Sequence, residues 1–535
     1  MIGEAIDRMC GLFSPSWGMN RVHARATMQQ MLGMSSSSGA GYAAGKLNRL
    51  TKNRRPTIAN ENSIPRENIE RCRALSYQLY RDNPHARKIC RQLESKVIGR
   101  GMLPASQATL PNGDEHTEFR LMARTIWSKR LKTLDYRGIA GKGGQHFTEL
   151  AKTALRATIL GGEVLYRLRI DGKDTKAPTR IQLIAADRLS KIASPDHDMK
   201  TNLFFFGIET NSEDRRIAYH ILKFHPSDPR GVGTTDIVRV PADEMGHVFV
   251  QDDIDQFRGS PWFSAALLKM QDTGDYEFNE LKAAAVSACV VLGYRRSPGQ
   301  SQFGFNQPED SPLTDADGNK ITAMQPGMLI DMGRTGEIQG FNPQRPNSNA
   351  GEFIQHLLRS QAASVAGIKS SSMTMNYAGS SFSSEKSADN DAWPELEGVQ
   401  DWFSRTFYQP VYENVIVEAV IANMFEGIVR KEEFLERKDE YLEAVWQGPV
   451  PRSINPTDDA KAARMRIQNG QSSPQLEASS LGRNWREIVS DIAEFIDYCE
   501  SKDLPDSLTA QMLGIDQVDD PLENAENVED KESTT

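Results

Sequence analysis

Apolar residues first recur at helical spacing between Pro65 and Val97, at Ile69, Leu75, Leu79, Ile89, Leu93 and Val97. Pro84 interrupts that run and predicts two helices or a kink. Arg87, Lys88 and Arg91 form a basic face on its second half, and Gly99 and Gly101 end it. Phe147 to Leu160 predicts another helix. The pattern then shortens: 163–170, 181–184, 203–206, 218–222 and 247–250 are brief β-branched or aromatic runs separated by Gly, Pro, Asp and Asn. They predict an α+β region with an antiparallel sheet.

Ser260-Pro261 offers an N-cap followed by a first-turn proline and predicts the start of a long helix. At about 100° per residue, Phe263, Leu267, Met270, Gly274, Phe278, Leu281 and Ala285 fall within an arc of roughly 80°, while Asp272, Asp275 and Glu280 lie on other faces. Residues 286–345 read as a small β-rich insert, with Asp315-Ala-Asp-Gly-Asn-Lys320 as a hairpin turn. A second helix is predicted over 349–366. The polar stretch from Gly367 to Ser384 is too long for a mere connection. A third helix is predicted from Ser384, kinked by Pro394 and Pro410, with Leu396, Val399, Phe403, Phe407 and Val411 on its buried side. After the turn-rich break at 446–451, helices are predicted from Asn455 through Ile467 and from Asn484 to Ser501.

The ends differ in composition. Residues 1–60 carry a Ser/Gly tract and the basic run Lys46, Arg49, Lys52, Arg54 and Arg55, which reads either as a solvated arm or as a nucleic-acid contact. The stretch from Asp516 is acidic and poor in apolar residues, the composition of a disordered tail. Over all 535 residues, hydrophobic side chains make up 39% and charged ones 25%, which fits a polar, multidomain chain. No run of about 18 apolar residues predicts a membrane span, and the N-terminus lacks the positive start of a secretory signal. Five scattered cysteines (Cys10, Cys72, Cys90, Cys289 and Cys499) disfavour a disulfide framework and a zinc cluster. The net charge of −9 argues against tight, static DNA binding, because phosphate neutralisation supplies non-specific affinity; a conduit through which DNA slides tolerates it.

Catalytic motifs are present only as lookalikes. Gly41 to Lys46 is one residue short of a phosphate-binding loop and is followed by Leu47; Gly141-Lys-Gly-Gly144 also lacks the spacing. A calcium loop starting at Asp315 would need an acid where Pro326 stands. His220, His225 and His247 lie in or near strands and read as satisfied structural residues, and Asp252, Asp253 and Asp255 as a solvated loop. These readings predict no enzyme, no cofactor and no metal.

Several segments nevertheless resemble a known family. They are Arg81-Asp-Asn-Pro-His-Ala86 with Val97-Ile-Gly-Arg-Gly101; Gly162-Glu-Val-Leu165; Ala186-Asp-Arg-Leu189; Arg258-Gly-Ser-Pro261; Asn376-Tyr-Ala378 with Phe382-Ser-Ser384 and Trp393; and Trp446-Gln-Gly-Pro449 with Ile454-Asn-Pro456. In this order they resemble the lambda-type portal proteins of tailed bacteriophages. Pro394 departs from the family, which usually continues the helix there, and Asn455 stands where Asp before Pro is commoner.

The resemblance implies an α+β portal-type ring subunit with long stem helices, an α+β wing, a small β-containing clip and a helical crown. It implies a flexible arm at 1–60, a wing at 61–260, a stem helix at 261–285, a clip at 286–345, a second stem helix at 346–368 and a tunnel loop at 369–384. A kinked helix and further wing at 385–449, a crown at 450–515 and an acidic tail at 516–535 complete it. The DNA channel would be lined by Lys369, Ser371, Ser372, Thr374, Asn376, Tyr377, Ser380 and Ser381 of the loop, with Lys369 touching phosphate, and by Asp272, Asp275 and Glu280 of the stem. The implied partners are further copies of the chain (a ring, typically of twelve), double-stranded DNA, the terminase large subunit, major capsid and scaffold proteins, and a neck or head-completion protein. The implied place is a capsid vertex of the virion, after assembly in the bacterial cytoplasm. The alternatives are a nucleic-acid-processing enzyme of the packaging machinery and a head–tail adaptor.

Overall fold

The computed structural model describes residues 61–505, apart from 172–176, 198–200, 232–235, 289–291, 295–312, 315–319, 322–328, 332–349, 366, 378–380, 452–454 and 484. The expected arm at 1–60, the acidic tail, most of the expected clip and the Gly41–Lys46 stretch lie outside the described residues.

The broken first helix is found as α1 (Arg66–Asp82) and α2 (Pro84–Leu93), followed by a π turn over Glu94–Ile98. The break is a cap. Asn83 accepts from the backbone N–H of His85 at 2.8 Å and Ala86 at 3.1 Å, and Pro84 occupies the first turn, where its missing N–H costs nothing. β1 (Leu103–Ser106) and α3 (Thr117–Arg130) follow. α4 (Phe147–Gly161) leads through Gly162 into β2 (Glu163–Ile170), β3 (Thr179–Ala185), β4 (Leu203–Phe205), β5 (Ile208–Thr210), β6 (Arg216–Leu222), β7 (Ile237–Pro241) and β8 (Met245–Phe249). The strands form two sheets, β3-β2-β8 and β4-β5-β6-β7, with every neighbour antiparallel, as the brief β-branched and aromatic runs predict.

α5 (Leu267–Ala288) starts six residues later than the Ser260-Pro261 signal predicts. The backbone of Gly259 and Ser260 is packed against Gly162, and 262–266 pass through successive turns, so Ser260 caps nothing. Of the insert, the described strands are β9 (Leu292–Tyr294), β10 (Leu313–Thr314), β11 (Lys320–Ile321) and β12 (Leu329–Asp331). β10 and β11 pair antiparallel, and β9 pairs parallel with β12; the expected turn at 315–320 lies almost wholly outside the described residues. α6 (Ala350–Ala362) is shorter than predicted.

The polar stretch is partly ordered into helix: α7 (Ser370–Thr374) lies inside it. α8 (Phe382–Phe403) runs through Pro394; the hydrogen-bond pattern changes later, in a π turn at Ser404–Tyr408 just before Pro410 and α9 (Gln409–Ile421). A π turn ahead of proline releases the carbonyl that the missing N–H cannot serve. α10 (Lys431–Glu436), α11 (Lys438–Leu442), β13 (Ala444–Gln447), α12 (Pro456–Gln468), α13 (Pro474–Ser480) and α14 (Trp485–Glu500) complete the chain, with β13 pairing antiparallel to β1.

The main core joins α3, α4, the second π turn and α9. Phe147 stacks on Phe407 with ring centroids 5.6 Å apart, and Trp127 meets Phe147 edge-on at 5.2 Å. Each such pair adds about 0.5–1.5 kcal/mol beyond burial. Leu396, Phe403, Phe407 and Val411 are fully buried, as their spacing predicts, while Val399 is only partly buried. By contrast α12 buries no residue, and α14 leaves Val489 and Tyr498 exposed. No helix among the described residues is long and apolar enough to cross a membrane.

Candidate functional site

The polar loop is clamped at its root. Gly367 turns the chain at φ +63°, and its N–H donates to Glu395 at 2.6 Å. A Cβ there would lie 2.4 Å from Leu396 Cγ, so only glycine fits. Lys369 Nζ reaches Glu385 at 3.0 Å and Asp389 at 2.8 Å, one turn apart on α8. Burial pushes its ammonium pKa down, but the two carboxylates prevail and hold it above the ordinary lysine value. Lys369 is therefore engaged within the chain, with its side chain only 11% exposed. Ser371 Oγ donates to Glu385 at 3.2 Å, and Gln92 of α2 donates to the Ser372 carbonyl at 2.9 Å.

Beyond that root the loop opens. Met373 is buried, Thr374 Oγ1 donates back to the Ser370 carbonyl at 2.8 Å, and Met375 ends the short helix at φ +57°. Met375, Asn376 and Tyr377 are exposed. Ser380 lies outside the described residues. Ser381 is exposed and caps α8, exchanging hydrogen bonds with Ser384. The loop residues are thus brought together, but as a fixed root and an exposed tip.

On α5, Asp272 and Asp275 are exposed; Glu280 is half-buried and engaged. The apolar stripe is buried at Phe263, Leu267 and Met270 but exposed at Phe278 and Leu281. α5 and α6 are registered by a buried polar pair, Gln361 Nε2 donating to Thr273 Oγ1 at 2.7 Å. Sequence reasoning missed that pair, although Leu358, Gln361 and Val365 share one helical face.

Three of the segments that carry the resemblance meet at one buried carboxylate. Glu163 accepts from Arg73 at 2.5 Å, Arg258 at 2.6 Å, His247 at 2.8 Å and the Gly259 N–H at 3.0 Å. Arg73 also donates to the Gly161 carbonyl, while Arg258 donates to those of Phe206 and Ala186. Burial alone would raise the Glu163 pKa; Arg258, Arg73 and His247 hold it well below the ordinary carboxylate value. This node joins α1, both sheets and the entry to α5. A second contact, Gln400 Nε2 to the carbonyls of Lys96 (2.7 Å) and Pro449 (2.9 Å), joins the Val97 and Trp446 segments to α8.

His197, Glu209 and His220 are the one group among the described residues with metal-ligand spacing, their ligand atoms all within 4.8 Å of one another. The hydrogen bonds argue against a metal. The Ser194 N–H donates to His220 Nδ1 at 2.9 Å, so Nε2 carries the proton and donates to Glu209 at 3.0 Å. Arg239 occupies both Glu209 oxygens at 2.7 and 3.0 Å. His220 and His247 are thus partners of buried glutamates, as expected of structural histidines. Gly141-Lys-Gly-Gly144 is a tight turn in which Gly144 packs on the Gly138 backbone.

The family model for phage portal proteins of the lambda family matches residues 47–400. The portal protein of Escherichia phage N15 is 20% identical over 458 residues, covering 79% of this chain and 83% of that protein. The probable portal protein of Halomonas phage phiHAP-1 is 24% identical over 426 residues, 77% of each chain. A chain from the neck of a native gene transfer agent particle, computed with C12 symmetry, aligns at TM-score 0.38 and 12% identity, covering 76% of this chain and 93% of that one.

Proposed function

This chain belongs to the lambda family of phage portal proteins, and from that premise we propose that its copies close into a ring, of twelve by the family pattern, around a channel for double-stranded DNA. The ring sits at one capsid vertex, contacts capsid and scaffold proteins, docks the terminase large subunit, passes DNA in packaging and ejection, and joins the head to a neck protein. The chain acts as a conduit and not as a catalyst.

The observation that carries this reading is the loop: an exposed tip (Met375, Asn376, Tyr377 and Ser381) on a root fixed by Lys369, Ser371 and Gly367. A rigid root with short polar groups beyond it can touch a moving duplex without reading its bases. Ser372 and Thr374, both half-buried, link the root to that tip. Asp272, Asp275 and Glu280 give the stem an acidic lining that repels phosphate, so DNA is not trapped in transit. Phe278 and Leu281 leave apolar surface open on α5 that an adjacent copy would cover.

Negative-stain imaging of the purified protein, followed by deletion of 370–383, tests the proposal. Rings are expected for both proteins, with packaging or DNA retention lost only in the deletion. Monomers that stay monomeric with capsid and scaffold proteins would overturn the ring. A deletion that abolishes rings while leaving folded monomers would make the loop an assembly element.

A further inference from the structure

Residues 81–100 carry six cations (Arg81, Arg87, Lys88, Arg91, Lys96 and Arg100) against two carboxylates (Asp82 and Glu94), a local charge of +4 in a chain whose net charge is −9. One of the two carboxylates is already taken: Arg156 clamps Glu94 at 2.5 and 2.8 Å. α2 buries Ala86, Ile89, Cys90 and Leu93 on one side, so Arg87, Lys88, Arg91 and Gln92 share the opposite side. Arg87 donates to the carbonyls of Tyr80 and Arg81, which fixes its guanidinium without neutralising it. Neither Lys88 nor Arg91 is paired with a carboxylate among the described residues.

Gln92 aims this face. It lies one turn beyond Lys88 and next to Arg91, and it donates to the Ser372 carbonyl of the loop. Farther along, the Lys96 carbonyl accepts from Gln400 of α8, the helix that holds the loop root, at 2.7 Å. The basic strip therefore runs beside the loop, while the loop's own lysine is neutralised by α8. We propose that Lys88 and Arg91 are the phosphate-contacting cations of the loop surface, binding the DNA backbone irrespective of sequence while Asn376 and Tyr377 make the short polar contacts. This rests on the reading of the loop as channel lining. It gives that surface a weak, sequence-independent hold on the duplex beside the repelling acidic stem, now that the loop's own lysine is neutralised.

The test uses assembled rings of the full chain and a short duplex of arbitrary sequence, with binding followed by anisotropy across a salt series. The variant is K88Q/R91Q, with K88R/R91K as the charge-conserving control. Rings of the Gln variant are expected to bind more weakly, with the slope of log affinity against log salt reduced by about 0.9 for each phosphate that is no longer neutralised; the control should match wild type. An unchanged slope in intact Gln-variant rings would overturn the inference alone. A Gln variant that stays a folded monomer would overturn it too, because the strip would then face a neighbouring copy. If the double variant does not fold, the single variants K88Q and R91Q are read the same way. Wild-type protein that forms no ring would defeat the portal reading itself, a distinguishable result.

Discussion

Arg258 donates to the Glu163 carboxylate at 2.6 Å with both side chains buried, tying the segment that enters α5 to the first residue of β2. Arg73 shares the same oxygen and His247 holds the other. One carboxylate is thus shared by two buried guanidinium groups, with Asp187, 3.7 Å from Arg73, as a second acid at the node. Replacing Glu163 by Gln preserves shape and removes that shared charge. Uncompensated buried charge of this kind costs roughly 3–5 kcal/mol. Chemical denaturation of E163Q against wild type measures it; a loss under about 1 kcal/mol, the scale of a surface pair, would show that solvent or relaxation serves the arginines.

Acid should destabilise the two-sheet region in two stages. Burial lowers the pKa values of His247 and His220 against the pull of Glu163 and Glu209. Glu163 lies well below the ordinary carboxylate value, and Glu209 is brought to about 2 despite burial, chiefly by hydrogen bonds from Arg239, Asn202 and His220. All four depressions have the same sign: the unfolded chain binds protons that the folded chain does not. Stability is then full above about pH 6.5, falls first as unfolded histidines protonate, and falls again below about pH 4.3 as unfolded glutamates do. Denaturant midpoints across this range should decline in that order. The variant E163Q/E209Q should lose the lower stage; a midpoint that stays flat in wild type down to about pH 4 would contradict the scheme.

Gly367→Ala tests the loop root. The substitution asks an alanine to sit at φ +63° with its Cβ 2.4 Å from Leu396 Cγ and 2.9 Å from the Ala392 carbonyl. The backbone conformation alone costs about 1–2 kcal/mol, and the clash forces the root off α8. Rings should still form, with faster proteolysis within 368–377 and reduced DNA retention. Proteolysis at the wild-type rate would mean that the root repacks around the methyl group.

Much of this fold is legible because the signals are local. β2 can be read to the residue from the β-branched and aromatic run that begins after Gly162, and the face of α8 from Leu396 and Phe403, with Phe407 in the turn that follows it. α3 goes unread in the sequence; like α4 it is capped by a histidine, His116, which accepts from the Phe119 N–H at 3.4 Å, but it has no apolar run as continuous as that of α4. β1 is four residues long, contains Pro104 and pairs with β13 near the other end of the chain, so no local window reveals it. The Ser260-Pro261 start misleads because a good cap sequence cannot form a cap once its backbone is committed to Gly162. The loop's polarity is legible; its division into fixed root and exposed tip is not, since Glu385, Asp389 and Glu395 look like ordinary surface acids until α8 brings them onto Lys369 and Gly367.

That division makes Lys369 a positioning residue with a distinct signature. Lys369→Met removes the shared partner of Glu385 and Asp389, and with it the bond network that includes Ser371. The pair is partly buried, so a loss of about 1 kcal/mol is expected, and it falls on local opening of the loop and not on global unfolding. Amide exchange over 370–377 should quicken about fivefold, with the denaturation midpoint almost unchanged. Lys369→Arg should restore slow exchange, since a guanidinium can bridge both carboxylates. DNA binding supplies the discriminating readout. If Lys369 only positions the loop, K369M rings keep the wild-type salt slope; a slope reduced by about 0.9 would place its ammonium on a phosphate, and the ion triad would then be a resting arrangement that DNA displaces.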